Sequence, residues 1–222
     1  RTAAGMVLCQ FGDAPEALPH LVPALAGQIV TGLSGDAQQT GALIDALGLA
    51  RALHRNFVEP LFHLNLADLP DGARDTRPAT LEDESLIAEW LGHYLVETGL
   101  LEPSPTLASE ARNRAVTTIA GGGLRLLIQQ GEAVAMASIN ARAAAMVQVG
   151  GVYVPKALRN RGLGRTVTRA LLAEARAGGA TEAVLFANNP VAAQAYRGIG
   201  FVEVGTYRIA LLPRPVTIGA AA

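Results

Sequence analysis

The chain has 222 residues, of which half are hydrophobic and 17% are charged, and its net charge is −1. It can bury a substantial core, and its near-neutrality gives no whole-chain attraction to nucleic acid or to an anionic membrane. Cys9 is the only cysteine, which excludes an internal disulfide and a cysteine zinc site; a reducing, cytoplasmic setting is the expectation, and no apolar run approaches the roughly 20 residues of a membrane span.

The elements are expected in this order. "GMVLCQF" reads as a strand, and "DAPEALPHLVPALAG" as short helices broken by Pro19 and Pro23. "GQIVTGLSG" reads as a strand and turn, "DAQQTGALIDALGLA" as a helix and "EPLFHLNLADL" as a strand. Strand, helix, strand describes a small α/β unit over residues 1–75. The turn-rich "PDGARDTRP" marks a boundary, with a second domain at 76–222.

In that second domain, Thr80 and Asp83 have capping-box spacing. Ile87, Trp90, Leu91, Tyr94 and Leu95 then share one helical face. A second helix is expected over about 106–120, ended by Gly121, Gly122 and Gly123. "LRLLIQQ" and "EAVAMASIN" form a hairpin about Gly131. "AMVQVGGVYV" is a strand whose interior glycines, Gly150 and Gly151, mark either a bulge or tight packing under a helix. A helix from Gly162, the strand "EAVLFA", the helix "PVAAQAYRGI" and the strands of "FVEVGTYRIALL" follow, and "PRPVTIGAAA" reads as a loose tail.

The corner at 159–165 concentrates Arg159, Arg161 and Arg165 with Gly162 and Gly164, although Lys156 is the only lysine of the chain. Free N–H groups and a partial positive charge at the helix start, joined by three arginines, would cradle an anion such as phosphate. A plain strand-to-helix turn with solvated arginines is the other reading. A dinucleotide fingerprint fails, because Val167 stands where the third glycine belongs. His20, His54, His63 and His93 lack metal-ligand spacing, so no metal site is expected.

Arg159-x-x-Gly162-x-Gly164 after an apolar strand resembles the acetyl-CoA pyrophosphate loop of the GNAT N-acetyltransferase superfamily. "NPVAAQAYRGIGF" resembles its second signature, through Asn189, Ala192, Tyr196 and Gly200-Phe201, and "RPATLED" at 77–83 resembles its opening. The resemblance covers the last two thirds of the chain. The N-terminal third resembles, less closely, the small extra domain that precedes some members.

The resemblance implies a mixed, mostly antiparallel α/β sheet with helices on both sides. It implies transfer of an acetyl group from acetyl-CoA, without a metal, to an amine of a small molecule, amino acid or protein N-terminus. Cofactor contacts are implied at Val152, Tyr153, Val154, Arg159, Asn160, Arg161, Gly162, Leu163, Gly164, Arg165, Thr166, Asn189 and Ala192. The pantetheine arm would pair with the strand at Val152–Val154, and a backbone N–H near the bulge would polarise the carbonyl. Tyr196 is the candidate general acid, since a phenol stays protonated at neutral pH; packing in the core is its other reading. Asn189 can contact coenzyme A or cap its helix. The family's carboxylate before the loop is missing, because Gln148 cannot act as a base. Asn140, Glu84, His93 or a water chain are the substitutes. An inactive acyl-CoA-binding sensor or scaffold is the alternative function, and self-association as a homodimer is open.

Overall fold

The computed structural model describes residues 1–12, 15–70 and 75–219. Its elements in chain order are β1 (Met6–Cys9), α1 (Leu18–Ala24), β2 (Ile29–Asp36), α2 (Ala37–Ala46), β3 (Arg55–Asn65), β4 (Thr76–Pro78), α3 (Glu84–Glu97) and α4 (Leu107–Ala120). Then come β5 (Leu124–Gln129), β6 (Glu132–Ala143), β7 (Met146–Tyr153), α5 (Leu163–Ala177), β8 (Glu182–Phe186), α6 (Pro190–Arg197) and β9 (Val202–Thr217). Among the described residues no helix is long and apolar enough to cross a membrane.

The chain forms two compact units, Arg1–Leu61 with Val204–Ala222, and Phe62–Glu203. The sequence suggested one boundary at residue 75; the units instead divide inside β3 and inside β9, and residues 71–74 of "PDGARDTRP" lie outside the described residues. The strand after α6 thus belongs with the N-terminal residues.

In the first unit β1 runs parallel to β2, and β2 pairs antiparallel with β9. Val7, Val30, Leu33, Leu43, Ala210 and Leu212 make its core. Three local expectations change. Pro19 lies in the first turn of α1, where its missing N–H costs nothing. "GLSG" is strand rather than turn, and Asp36 ends β2 by capping α2, accepting from the N–H groups of Gln38 and Gln39 at 3.0 Å. The supposed tail is strand as far as Thr217, which pairs with Ile29, and Ile218 is buried. Pro213 and Pro215 are accommodated because the register slips between Val30 and Gly32. Leu211 pairs with Gly32 and Val216 with Val30, so the residues between them oppose only Thr31 and fewer ladder N–H groups are needed.

In the second unit the strand order is β8-β7-β6-β5-β4, parallel for β7 with β8 and antiparallel elsewhere. Alternation along β6 dictates the layers. Ala135 and Ala137 join Leu163, Val167 and Leu171 of α5, whereas Met136 joins Ile87 and Trp90 of α3 and Ala115 of α4. The sheet is therefore sandwiched between α3/α4 and α5/α6, as expected. Asp83 closes the capping box of the helical turn Leu81–Asp83 that leads into α3: it accepts from the Thr80 N–H at 2.9 Å and binds the Arg77 guanidinium at 2.7 Å through both oxygens. That pair holds its carboxyl down at about 2.

Candidate functional site

The glycines of β7 form a bulge. Tyr153 pairs with Met136 and Gly150 with Ser138, so Gly151 and Val152 together oppose Ala137. Gly151 has φ +58°, a conformation that favours glycine. The extra residue shifts the strand's phase. Val147 and Val149 face α5 before the bulge; after it Val152 packs toward the same cluster while Tyr153 turns to the α3 side. Parallel pairing with β8 also stops at Gln148 opposite Val184, although β7 continues to Tyr153. From there to Tyr153 the strand stays paired with β6 alone, and the β8 side of Val152 carries no ladder.

Both Asn160 and Gly162 are left-handed, at φ +64° and +74°, and Gly162 caps the start of α5. The chain thus reverses sharply and aims the first N–H groups of α5 outward from the helix, where they have no intrahelical partner. Leu163 anchors the turn in the core, and the Thr166 hydroxyl donates to the Gly162 carbonyl at 3.2 Å. A Cβ added to Gly164 would meet only the ends of Val154 and Val152, at 3.7 and 3.9 Å. Ordinary packing would tolerate it, so the fold itself does not demand glycine there.

The three arginines are neighbours in sequence but not in direction. Arg159 binds Glu97 at 2.7 Å, donates to the Val154 carbonyl at 3.0 Å and lies over the Tyr153 ring at 5.6 Å. Arg165 lies against Gly198 at the C-terminus of α6, where a cation is favoured. Arg161 is exposed, with the Ala157 carbonyl 3.5 Å away. Arg159 thus ties the end of β7 to α3, while Arg161 stays exposed beside the N-terminus of α5.

Tyr153 is the centre of that tie. Its ring is 5.9 Å from Trp90, its hydroxyl is 3.2 Å from His93 Nδ1, and burial, then the Glu97 charge, raise its pKa. Tyr196 is buried on α6 and packs edge-on against Phe201 at 6.1 Å. It belongs to the same apolar cluster as Leu163, with Val152, Val154 and Ala192 packed against it. The structure therefore brings the two sequence motifs together. Asn189 caps α6 by accepting from the Ala192 N–H at 2.9 Å, which satisfies its capping reading.

A cavity of about 430 Å³ opens on the α3/α4 side of the bulge. Leu91, Leu95 and Met136 supply apolar wall, Gly151 and Ser138 line it at β7 and β6, and Arg114 lines it from α4. The Ser138 hydroxyl is 2.7 Å from Asn140 Oδ1 and 3.1 Å from the Gly150 carbonyl. Of the substitute bases, Asn140 lines this cavity, Glu84 is engaged by Arg112 at 2.5 Å, and His93 contacts Tyr153 and lines a different groove beside Glu97. No carboxylate or imidazole is among the residues lining the cavity. Sequence reasoning missed Ser138, Arg114 and Glu97; the alternation of "MASIN" puts Ser138 and Asn140 on Met136's face and was the available signal for the first.

The acetyltransferase (GNAT) family model matches residues 85–201, from α3 through Phe201. Among solved structures, the chain is similar to a GCN5-related N-acetyltransferase from Kribbella flavida, at 23% identity and a TM-score of 0.56, over 94% of this chain and 78% of that one. It is also similar to a GNAT-family acetyltransferase from Colwellia psychrerythraea, at 15% identity and a TM-score of 0.57, over 91% and 75% of the two chains. A GCN5-related N-acetyltransferase from Sphaerobacter thermophilus gives 15% identity and 0.55, over 93% and 66%. Such identities speak for the fold. No curated protein matches the chain.

Proposed function

Because this chain belongs to the GNAT acetyltransferase family, we propose that it moves an acetyl group from acetyl-CoA directly to an amine. The observation that carries the reading is Gly164. Its missing side chain leaves open the space against Val152 and Val154, where β7 has parted from β8, at the start of α5. A pyrophosphate fits against the α5 N–H groups and Arg161, and an extended amide-bearing arm fits against the unpaired side of Val152–Val154. The donor supplies an activated thioester. In the transfer, the new C–N bond forms as the C–S bond breaks, the amine loses a proton and the departing sulfur gains one.

Each part of the chain then has a task. The Val152 N–H, beyond the bulge, is the donor that polarises the acetyl carbonyl. Tyr196, in the same apolar cluster, gives its phenolic proton to the sulfur. The cavity beyond Gly151 receives the amine. The Ser138 hydroxyl oxygen, oriented by Asn140, can accept a hydrogen bond from the amine, and the amine's proton leaves to solvent, since no carboxylate or imidazole lines the cavity. That same feature favours the second reading, an inactive acyl-CoA sensor or scaffold.

Calorimetric titration with acetyl-CoA tests the proposal. Binding is expected in the wild type, lost in Gly164→Glu at unchanged Tm, and weakened in Arg161→Ala. No binding to the wild type rejects the transferase and the sensor together. Tyr196→Phe separates the two: the enzyme loses on the order of a hundredfold in kcat with acetyl-CoA affinity kept, whereas a sensor turns over no amine at all.

A further inference from the structure

Resting on that reading of the cavity as the acceptor site, we infer that the acceptor is an apolar α-amine bearing a carboxylate, and that Arg114 selects it. The cavity has apolar walls, neutral hydrogen-bonding groups at its β6/β7 end (Ser138 and Asn140), and Arg114 on α4. Arg114 is exposed and forms no ion pair with any described residue, whereas Arg112 on the same helix is held by Glu84.

Two physical arguments meet here. An arginine is permanently charged and presents a fork that matches a carboxylate. With no anion on the cavity wall, it repels a bare alkylammonium and attracts an acid group. The second argument concerns the proton. A cavity lined by no carboxylate or imidazole favours an acceptor that reaches the free-base form unaided. At pH 7.5 about a quarter of a peptide-type α-amine is neutral, against about one in 800 for a lysine-like alkylamine. An electron-withdrawing carbonyl beside the amine is therefore favoured by the same site that favours a carboxylate. The apolar walls at Leu91, Leu95 and Met136 select an apolar side chain. The source that meets both arguments is a short peptide with an apolar first residue, because the α-amine of a free amino acid stands beside an ionised carboxylate instead of an amide carbonyl and stays protonated at pH 7.5.

The test follows coenzyme A release by the full chain with five probes: L-leucine, leucinamide, leucyl-glycine, leucyl-glycinamide and 3-methylbutylamine. Acetyl-CoA binding is measured separately by calorimetry. Leucyl-glycine should exceed leucyl-glycinamide at least tenfold in kcat/KM, and L-leucine, with its more basic amine, should fall below leucyl-glycine. Arg114→Gln should remove that preference while acetyl-CoA affinity stays, and Arg114→Lys should restore part of it. The inference is overturned if acetyl-CoA binds and leucyl-glycinamide or 3-methylbutylamine serves as well as leucyl-glycine, if leucyl-glycine is not acetylated, or if Arg114→Gln keeps the preference. Failure of acetyl-CoA to bind would instead remove the reading on which the inference rests.

Discussion

In the first unit, Gly32 and Gly35 of β2 face backbone: a Cβ on Gly35 would stand 2.1 Å from the Cys9 carbonyl oxygen, and one on Gly32 would stand 2.5 Å from that of Ala210. In the second unit, Gly150 and Gly151 of β7 face side chains, and a Cβ there would stand 2.0 Å from Asn140 Nδ2 and 3.0 Å from Ser138 Oγ. The first pair lets strands close on one another. The second makes a bulge and hands the vacated space to a serine and an asparagine that line a cavity. A glycine inside a strand announces a close approach, and what approaches it decides whether the position serves architecture or chemistry.

The comparison can be broken by filling each space. Gly35→Ala should have the largest effect, about 3 kcal/mol or more of stability, because a carbonyl in a paired strand cannot swing aside; urea unfolding reads it. A loss below 1 kcal/mol would show that β1 yields easily and would erase the contrast. Asp83→Asn gives the second unit a stability yardstick away from the glycines. Its carboxyl sits at about 2 against an ordinary 3.8, so the variant should lose about 2 kcal/mol at neutral pH. Since the folded pKa is the lower one, the wild-type advantage is complete above about pH 4. It drains away as pH falls toward 2, and denaturation curves across that window check it.

Gly150→Ala should cost only about 1 kcal/mol, because the Asn140 amide can rotate. It should raise the amine KM about tenfold while leaving the acetyl-CoA KM alone, as steady-state kinetics with each substrate varied will read. An effect confined to acetyl-CoA would move Asn140 out of the acceptor site. Arg159→Ala should be mildest, under about 1 kcal/mol in a denaturant titration, because its pair with Glu97 is partly solvated.

The parts of this fold that could be read from sequence are those decided within a few residues. Thr80 with Asp83, Asn189 before Pro190, and the Gly162 turn are local devices, and each formed where expected. The bulge at Gly150-Gly151 was one of two readings, and the register settles it. What could not be read depends on distant partners. The tie of Arg159 to α3 has no local sign, because its companion Glu97 lies 62 residues earlier. Arg114 carries no local signal, since only the packing of α4 beside β6 and β7 puts it on a cavity. Pro213 and Pro215 suggested a tail because nothing near them announces that β2 skips a pairing opposite Thr31.

The early end of the β7–β8 ladder at Gln148 and Val184 has a consequence in time as well as in space. Beyond it, the amide protons of β7 that point toward β8 lack the ladder that protects Val147 and Gln148, so they should exchange with solvent faster than their neighbours a few ångströms away. A donor whose own amides complete that ladder would slow these protons selectively. The exchange clock of one short stretch, Val152–Val154, would then report occupancy of the cleft whether or not any amine is ever acetylated.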